Sequence, residues 1–240
     1  MDKLSLPLVI VAFGLAIGGW FIGHGFVESR TVDRFVTVKG VAERDVVADL
    51  ALWPLQVVAT ADNPATAQRL IDESVSKVQS FLERNGIDGS LMEAKGIEVT
   101  DRLANQYDSG GRGGRYIVQQ RLMVRSEDPA IVHAASQNVG ELVADGVILK
   151  SGQGWGPAVP TYLFKNLNDL KPSMIEEATA SAREAAQRFA DDSESQVDGI
   201  RRANQGVFVI LARDGAGGIV EEQELHKTVR VVVTIEYYLG

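Results

Sequence analysis

Between Leu4 and Phe26 the chain carries no Asp, Glu, Lys or Arg. As a helix, these 23 residues rise about 34 Å at roughly 1.5 Å per residue, enough to cross a hydrocarbon core of about 30 Å. Pro7 falls in the first turn, where a missing N–H costs no hydrogen bond. Trp20 and Phe21 stand toward the far end, where amphipathic rings favour the membrane interface. Residues 1–30 are therefore expected to be a transmembrane anchor and residues 31–240 a separate folded domain. The alternative is a cleaved signal peptide. Its apolar core usually spans about 7–15 residues and precedes an Ala-x-Ala-like site. The nearest candidate here is Gly23-His24-Gly25, a poor match.

The apolar run also has an internal pattern. Gly14 and Gly18, then Gly19 and Gly23, are spaced four apart. That spacing lets two helix backbones approach closely in a bilayer, so these glycines are candidates for anchor-mediated oligomerisation. The side of the membrane is ambiguous from charge. Arg30, Arg34, Lys39 and Arg44 follow the run, which by the positive-inside rule favours a cytoplasmic domain, although long domains often translocate regardless.

Composition narrows the function. A net charge of −8 argues against nucleic-acid binding, which requires clustered cations. With no cysteine and only His24, His133 and His226, disulfides, thiolate metal sites and cysteine nucleophiles are excluded. No cofactor motif is present.

Beyond residue 30, Phe35–Gly40 alternates as a strand and Val46–Thr60 forms a long β-rich run. Pro54 within that run predicts a bulge or an edge position, since proline donates no ladder hydrogen bond. Asp62-Asn63-Pro64 and Glu127-Asp128-Pro129 are helix starts, with a capping side chain before Pro at the first helical position. The first helix is expected to stop at Asn85-Gly86. The second carries Ile131, Val132, Ala135, Val139 and Leu142 on one face. Ile97–Leu103, Tyr116–Arg125, Val147–Leu149, Thr161–Phe164, Val197–Ala203, Val207–Ala212 and Thr228–Leu239 read as strands. The Gly-rich stretch Asn105–Arg115 reads as a hairpin loop, and Ser151–Pro160, with Trp155, as another. A long helix over 168–192 is expected to bury Leu170, Met174, Ala178, Ala182, Ala185 and Phe189, with a partly buried Arg183 needing a partner. Asn204-Gln205-Gly206 reads as a turn in which Gly supplies unusual backbone angles. The pattern predicts an α+β fold of mixed, largely antiparallel sheet with about three helices on one face.

The segment from Tyr162 to Asp214 goes further. It runs Tyr-Leu-Phe-Lys-Asn-Leu-Asn-Asp-Leu-Lys-Pro, then an Ala-rich helix ending Arg-Phe-Ala-Asp-Asp-Ser, then Ile-Arg-Arg-Ala-Asn-Gln-Gly-Val-Phe-Val-Ile. With Val38-Lys39-Gly40 and the Val/Thr-rich final strand, it resembles the SIMPL domain family of bacterial envelope proteins. The positions carrying the resemblance include Tyr162, Phe164, Leu167, Lys171, Arg183, Phe189, Gln205 and Gly206. The resemblance implies an inner-membrane or periplasmic setting with the C-terminal domain in the periplasm, homo-oligomeric assembly, and a connection to envelope or oxidative-stress defence. It brings no catalytic residues.

Nothing else in the sequence assembles a reaction centre. Asp191, Asp192 and Glu194, and separately Glu221, Glu222 and Glu224, are acidic runs without the ligand spacing of a calcium loop. No Gly-x-Ser-x-Gly elbow accompanies His133 or His226. The expected function is a membrane-anchored, non-enzymatic homo-oligomer. One alternative is a module binding a small ligand or peptide near Trp155 and Tyr162. A hydrolase using His133 or His226 ranks last.

Overall fold

A computed structural model describes residues 11, 13–23, 34–104, 114–150 and 159–240. Residues 11 and 13–23 are helical, and apart from Gly18 all are exposed. Among the described residues no helix is long and apolar enough to cross a membrane. The rest of the expected span, residues 4–10, 12 and 24–26, lies outside the described residues.

The strands are β1 (Phe35–Val47), β2 (Leu50–Ala61), β3 (Met92–Asp101), β4 (Tyr116–Ser126), β5 (Thr161–Leu163), β6 (Val197–Gln205), β7 (Val209–Ala212) and β8 (His226–Leu239). The helices that follow β2 are α1 (Pro64–Arg84), α2 (Pro129–Gln137), α3 (Gly140–Ala144) and α4 (Leu167–Asp192). The α+β class holds, but one mixed sheet is replaced by two four-stranded sheets, ordered β1-β8-β6 with β7 also on β8, and β3-β4-β2-β5. Among the described residues four α-helices follow residue 60 where about three helices were expected. The chain divides into two compact units, one of residues 1–43, 171–209 and 230–240, the other of residues 44–170 and 210–229.

In the second unit the local signals act as anticipated. Asn63 Oδ1 accepts from the Ala65 N–H at 2.8 Å with Pro64 at the first helical position. The Asp128 carboxylate accepts from the Ala130 and Ile131 N–H groups. α1 ends at Asn85, and Gly86 takes a φ of +81° that other residues avoid. α1 buries Ala67, Ile71, Val78, Phe81 and Leu82 against a core that includes Trp53, Leu55, Val57, Val118, Leu122 and Val124. The Trp53 and Phe81 rings meet edge-on at 6.3 Å, the arrangement their quadrupoles prefer.

Several boundaries differ from expectation. The run Val46–Thr60 is cut at Ala48-Asp49, where the chain turns from β1 into β2. The Asp49 carboxylate accepts from the Lys165 and Asn166 N–H groups at 2.8 and 2.9 Å, so an acidic residue inside a β-rich run marks a corner. Pro54 makes no bulge: β2 keeps register with β4 through Pro54 opposite Met123. On its other side β5 pairs only Leu50–Leu52, and the next contact is Val57 with Leu149. Pro54 thus sits in a local gap, an edge position inside a central strand. Val147–Leu149 contributes that single bridge rather than a strand. The second predicted helix is broken into α2 and α3, and of the expected strand Ile97–Leu103 only Ile97–Asp101 is strand, the latter part of the longer β3, with a 3-10 turn over Arg102–Ala104.

In the first unit the face of β1 and β8 bearing Val38, Gly40, Ala42, Val231, Val233, Ile235 and Tyr237 is buried. α4 buries Met174, Ala178, Ala182, Ala186 and Ala190, a strict four-residue row. The expected stripe slips by one residue at its end: Ala185 is half-buried and Phe189 is 59% exposed. Small alanines dominate because a β1 backbone lies directly beneath. A Cβ on Gly40 would fall 1.8 Å from the Ala178 carbonyl oxygen and 2.6 Å from the Ala182 nitrogen. Only glycine allows the helix this close.

Candidate functional site

The buried polar cluster nearest to a reaction centre lies between α2 and β5. Tyr162 alternates inward from β5 and is 2% exposed. Its hydroxyl is 3.0 Å from His133 Nδ1, and the two rings are 5.9 Å apart. Burial pushes the Tyr162 phenol upward, a hydrogen bond with Ser136 opposes that rise, and the negative charge of Glu224 adds to it. Ser136 Oγ donates to the His133 carbonyl at 2.7 Å, so its proton is directed at backbone rather than at the imidazole. His133 itself is exposed. The arrangement satisfies a buried phenol, and it gives Ser136 no adjacent base. His226 is exposed at the start of β8, where its carbonyl accepts from the Arg213 N–H at 3.2 Å. Trp155, the other wall of the anticipated cleft, lies outside the described residues.

The remaining family-motif positions do not form one cluster. Phe164 and Leu167 belong with Tyr162 to the second unit and are half-buried. Lys171, Arg183, Phe189, Gln205 and Gly206 belong to the first. Lys171 Nζ lies 5.9 Å from the Phe208 ring centroid, a cation–π distance. Arg183, expected to be partly buried and paired, is instead exposed and borders a surface groove with Glu176, Thr179 and Glu184. The adjacent Glu184 pairs with Arg188 one turn on. Asn204 and Gln205 are part of β6, not a turn, and Gly206 does not need a positive φ. Its Cβ would lie 2.4 Å from the Val232 carbonyl oxygen, which its own N–H bonds at 3.0 Å, so close approach selects the glycine. Around Gly14, Gly18, Gly19 and Gly23 an added Cβ would meet nothing within 4 Å. Among the described residues no group of three or more His, Asp or Glu is placed to hold a metal ion.

Sequence reasoning missed two features. Lys227 is fully buried, its ammonium donating to the Glu221 carbonyl oxygen and ion-paired with the Glu221 carboxylate. Each sheet also ends in a strand with little cover. In β3, residues 93–99 are all exposed, with Ile97 at 49% and Val99 at 54%. In β6, residues 198–205 are all exposed. Both strands terminate their sheets, and such rims offer unpaired backbone donors and acceptors to another chain. A two-residue apolar alternation in β3 was the only sequence signal, and it does not distinguish an edge from a central strand.

This two-unit α+β chain, with antiparallel sheets, belongs to the SIMPL family. Residues 36–237 match the family model described as "Protein of unknown function (DUF541)". A stretch of 105 residues is 30% identical to the "Uncharacterized protein YggE" of Edwardsiella ictaluri (strain 93-146). The match covers 44% of this chain and 44% of that relative.

Proposed function

We propose that this chain is a membrane-tethered protein of the cell envelope that works by self-assembly rather than by catalysis, with its folded units on the periplasmic side. The observation that carries the assembly reading is the rim strand β3. Its first half is guarded: Glu93 and Lys95 are charged, and the register with β4 breaks between Ala94 and Gly96, two devices that discourage edge pairing. Past that break, Ile97–Asp101 runs in even register opposite Gln120–Tyr116. There Ile97 and Val99 share one face of the strand, half exposed, with Leu103 at 68% just beyond. A second copy pairing along this half would cover that apolar surface and satisfy the rim backbone.

The uncharged run Leu4–Phe26 supports the tether, and its paired glycines offer a second route to association. A part in envelope or oxidative-stress defence belongs to the proposal on the strength of the family resemblance alone. Light scattering of the full chain in detergent, beside a chain beginning at Thr31, tests this reading. Equal multiples of the monomer mass are expected if the folded units drive assembly. A large mass for the full chain only assigns assembly to the glycine-patterned segment. Two monomers overturn the proposal.

A further inference from the structure

We infer that the outer rim of β6 is a docking site for an extended acidic peptide, anchored by Arg202. This goes beyond the assembly reading, which uses β3, and does not depend on it.

The register between β6 and β8 supplies the geometry. Val197 stands opposite Leu239, Ile200 opposite Tyr237 and Arg202 opposite Glu236, after which Ala203, Asn204 and Gln205 follow evenly. Two extra residues are thus inserted in β6, the second of them Arg201. The insertion puts two consecutive arginines near one glutamate, and they meet different fates. Arg201 Nη1 lies 3.3 Å from Glu236 Oε2, and its guanidinium stacks 4.0 Å from the Phe35 ring centroid. Glu236 is committed to Arg201. Arg202 has no ion pair among the described residues, and the side chains of Asn204 and Thr234 have no hydrogen-bond partner there either. Arg202, Asn204, Thr234 and Glu236 line one groove of about 240 Å³. A guanidinium, an amide and a hydroxyl, all uncommitted, therefore converge on the open face beside a rim strand. That set suits a carboxylate, which arginine binds with two parallel N–H bonds.

The backbone specifies an extended partner. The Gly206 N–H donates to the Val232 carbonyl. In an antiparallel ladder bonding alternates residue by residue, so Asn204 and Arg202 bond inward to β8 while Ala203 and Gln205 direct N–H and C=O outward. A peptide strand added to those groups places alternate side chains directly beside Arg202 and Asn204, within about 4.5–5.5 Å between Cβ atoms. An acidic residue at the first of these positions meets the uncommitted guanidinium. A second β6 is a poorer occupant, because it brings its own Arg201 and Arg202 to the same rim.

The test is fluorescence polarisation of the detergent-solubilised full chain with a labelled, end-blocked peptide alternating threonine and glutamate. The same peptide with glutamine in place of glutamate, and free glutarate as competitor, are the control arms. The glutamate peptide is expected to bind, and Arg202→Gln is expected to weaken it about tenfold, the size of one charge-assisted contact. Arg202→Glu is expected to reverse the preference toward a threonine–lysine peptide, a switch that a misfolded variant cannot produce. Equal binding of the glutamate and glutamine peptides overturns the proposal, as does an unchanged affinity in Arg202→Gln. Glutarate displacing the peptide at matching concentration overturns strand docking in favour of a simple carboxylate site. A fall in light-scattering mass on Arg202→Gln assigns the rim to contact between copies and likewise overturns it.

Discussion

Gly40 of β1 and Ala178 of α4 touch through their backbones, with room for a hydrogen on Gly40 and nothing larger. The helix rides on this contact, and the row of buried alanines on either side of Ala178 is its counterpart. Because the obstructing atoms are a carbonyl oxygen and a backbone nitrogen, no side chain can swing aside to relieve a larger residue. Gly40→Ala is therefore expected to cost about 3 kcal/mol or more, at the upper end of overpacking effects. Urea denaturation of the two proteins measures it. Ala186→Gly, which adds no bulk, should cost only about 1 kcal/mol through backbone entropy.

Lys227 gives a prediction of unequal effect for two substitutions. Glu221→Ala leaves a fully buried ammonium with a carbonyl but no counter-charge, at an expected cost of about 3 kcal/mol. Lys227→Met removes the charge and keeps the volume, and is expected to cost under about 1 kcal/mol or to stabilise. The order of the two denaturation midpoints decides. A larger loss for Lys227→Met would show that the ion pair itself stabilises the fold.

The Asp101 carboxylate receives two hydrogen bonds from the Arg115 guanidinium, at 3.0 and 2.7 Å, which hold it below the usual carboxylate range. A carboxyl depressed in the folded state stabilises above its unfolded value, and that contribution disappears as pH falls through the folded value. The relevant window lies below about pH 4. Carbon-detected NMR should find Asp101 titrating late on acidification, and Arg115→Gln should move its midpoint up toward the ordinary value. An unmoved midpoint would assign the depression to the Leu103 N–H, which Asp101 also accepts.

Tyr162 is expected to ionise above the ordinary tyrosine range, since burial is the leading cause of its shift. A group raised in the folded state stabilises fully below its unfolded value and loses that contribution as pH rises through the folded one, so the loss begins above about pH 10. Ultraviolet titration should show a delayed component that is lost in Tyr162→Phe. Tyr162→Phe removes the His133 contact and should cost about 1 kcal/mol.

What could be read from the sequence divides along physical lines. Asn63, Pro64, Asp128 and Pro129 announce helix starts because capping is decided within a few residues, and those starts stand where expected. Pairing of β6 with β8, or β2 with β4, depends on residues far apart in sequence, so the split into two sheets was not legible. The α4 stripe was found but slipped at Phe189, because an alanine row seated on a glycine backbone gives little hydrophobic contrast to fix its end. Arg183 and Gly206 were given the wrong reasons: one is solvated, the other is a close approach. The uncommitted Arg202 and the buried Lys227 are ordinary cations in the sequence, and only the bulge in β6 and the packing around β8 separate them.

The most direct test of the assembly account is the light-scattering mass of the chain beginning at Thr31, with and without Val99→Lys. Val99 is on the exposed half of β3, so lysine there should leave the unfolding midpoint nearly unchanged. A multiple of the monomer mass is expected for the parent, and a fall toward the monomer for the variant. A monomeric parent, or an assembly indifferent to the lysine, would contradict it.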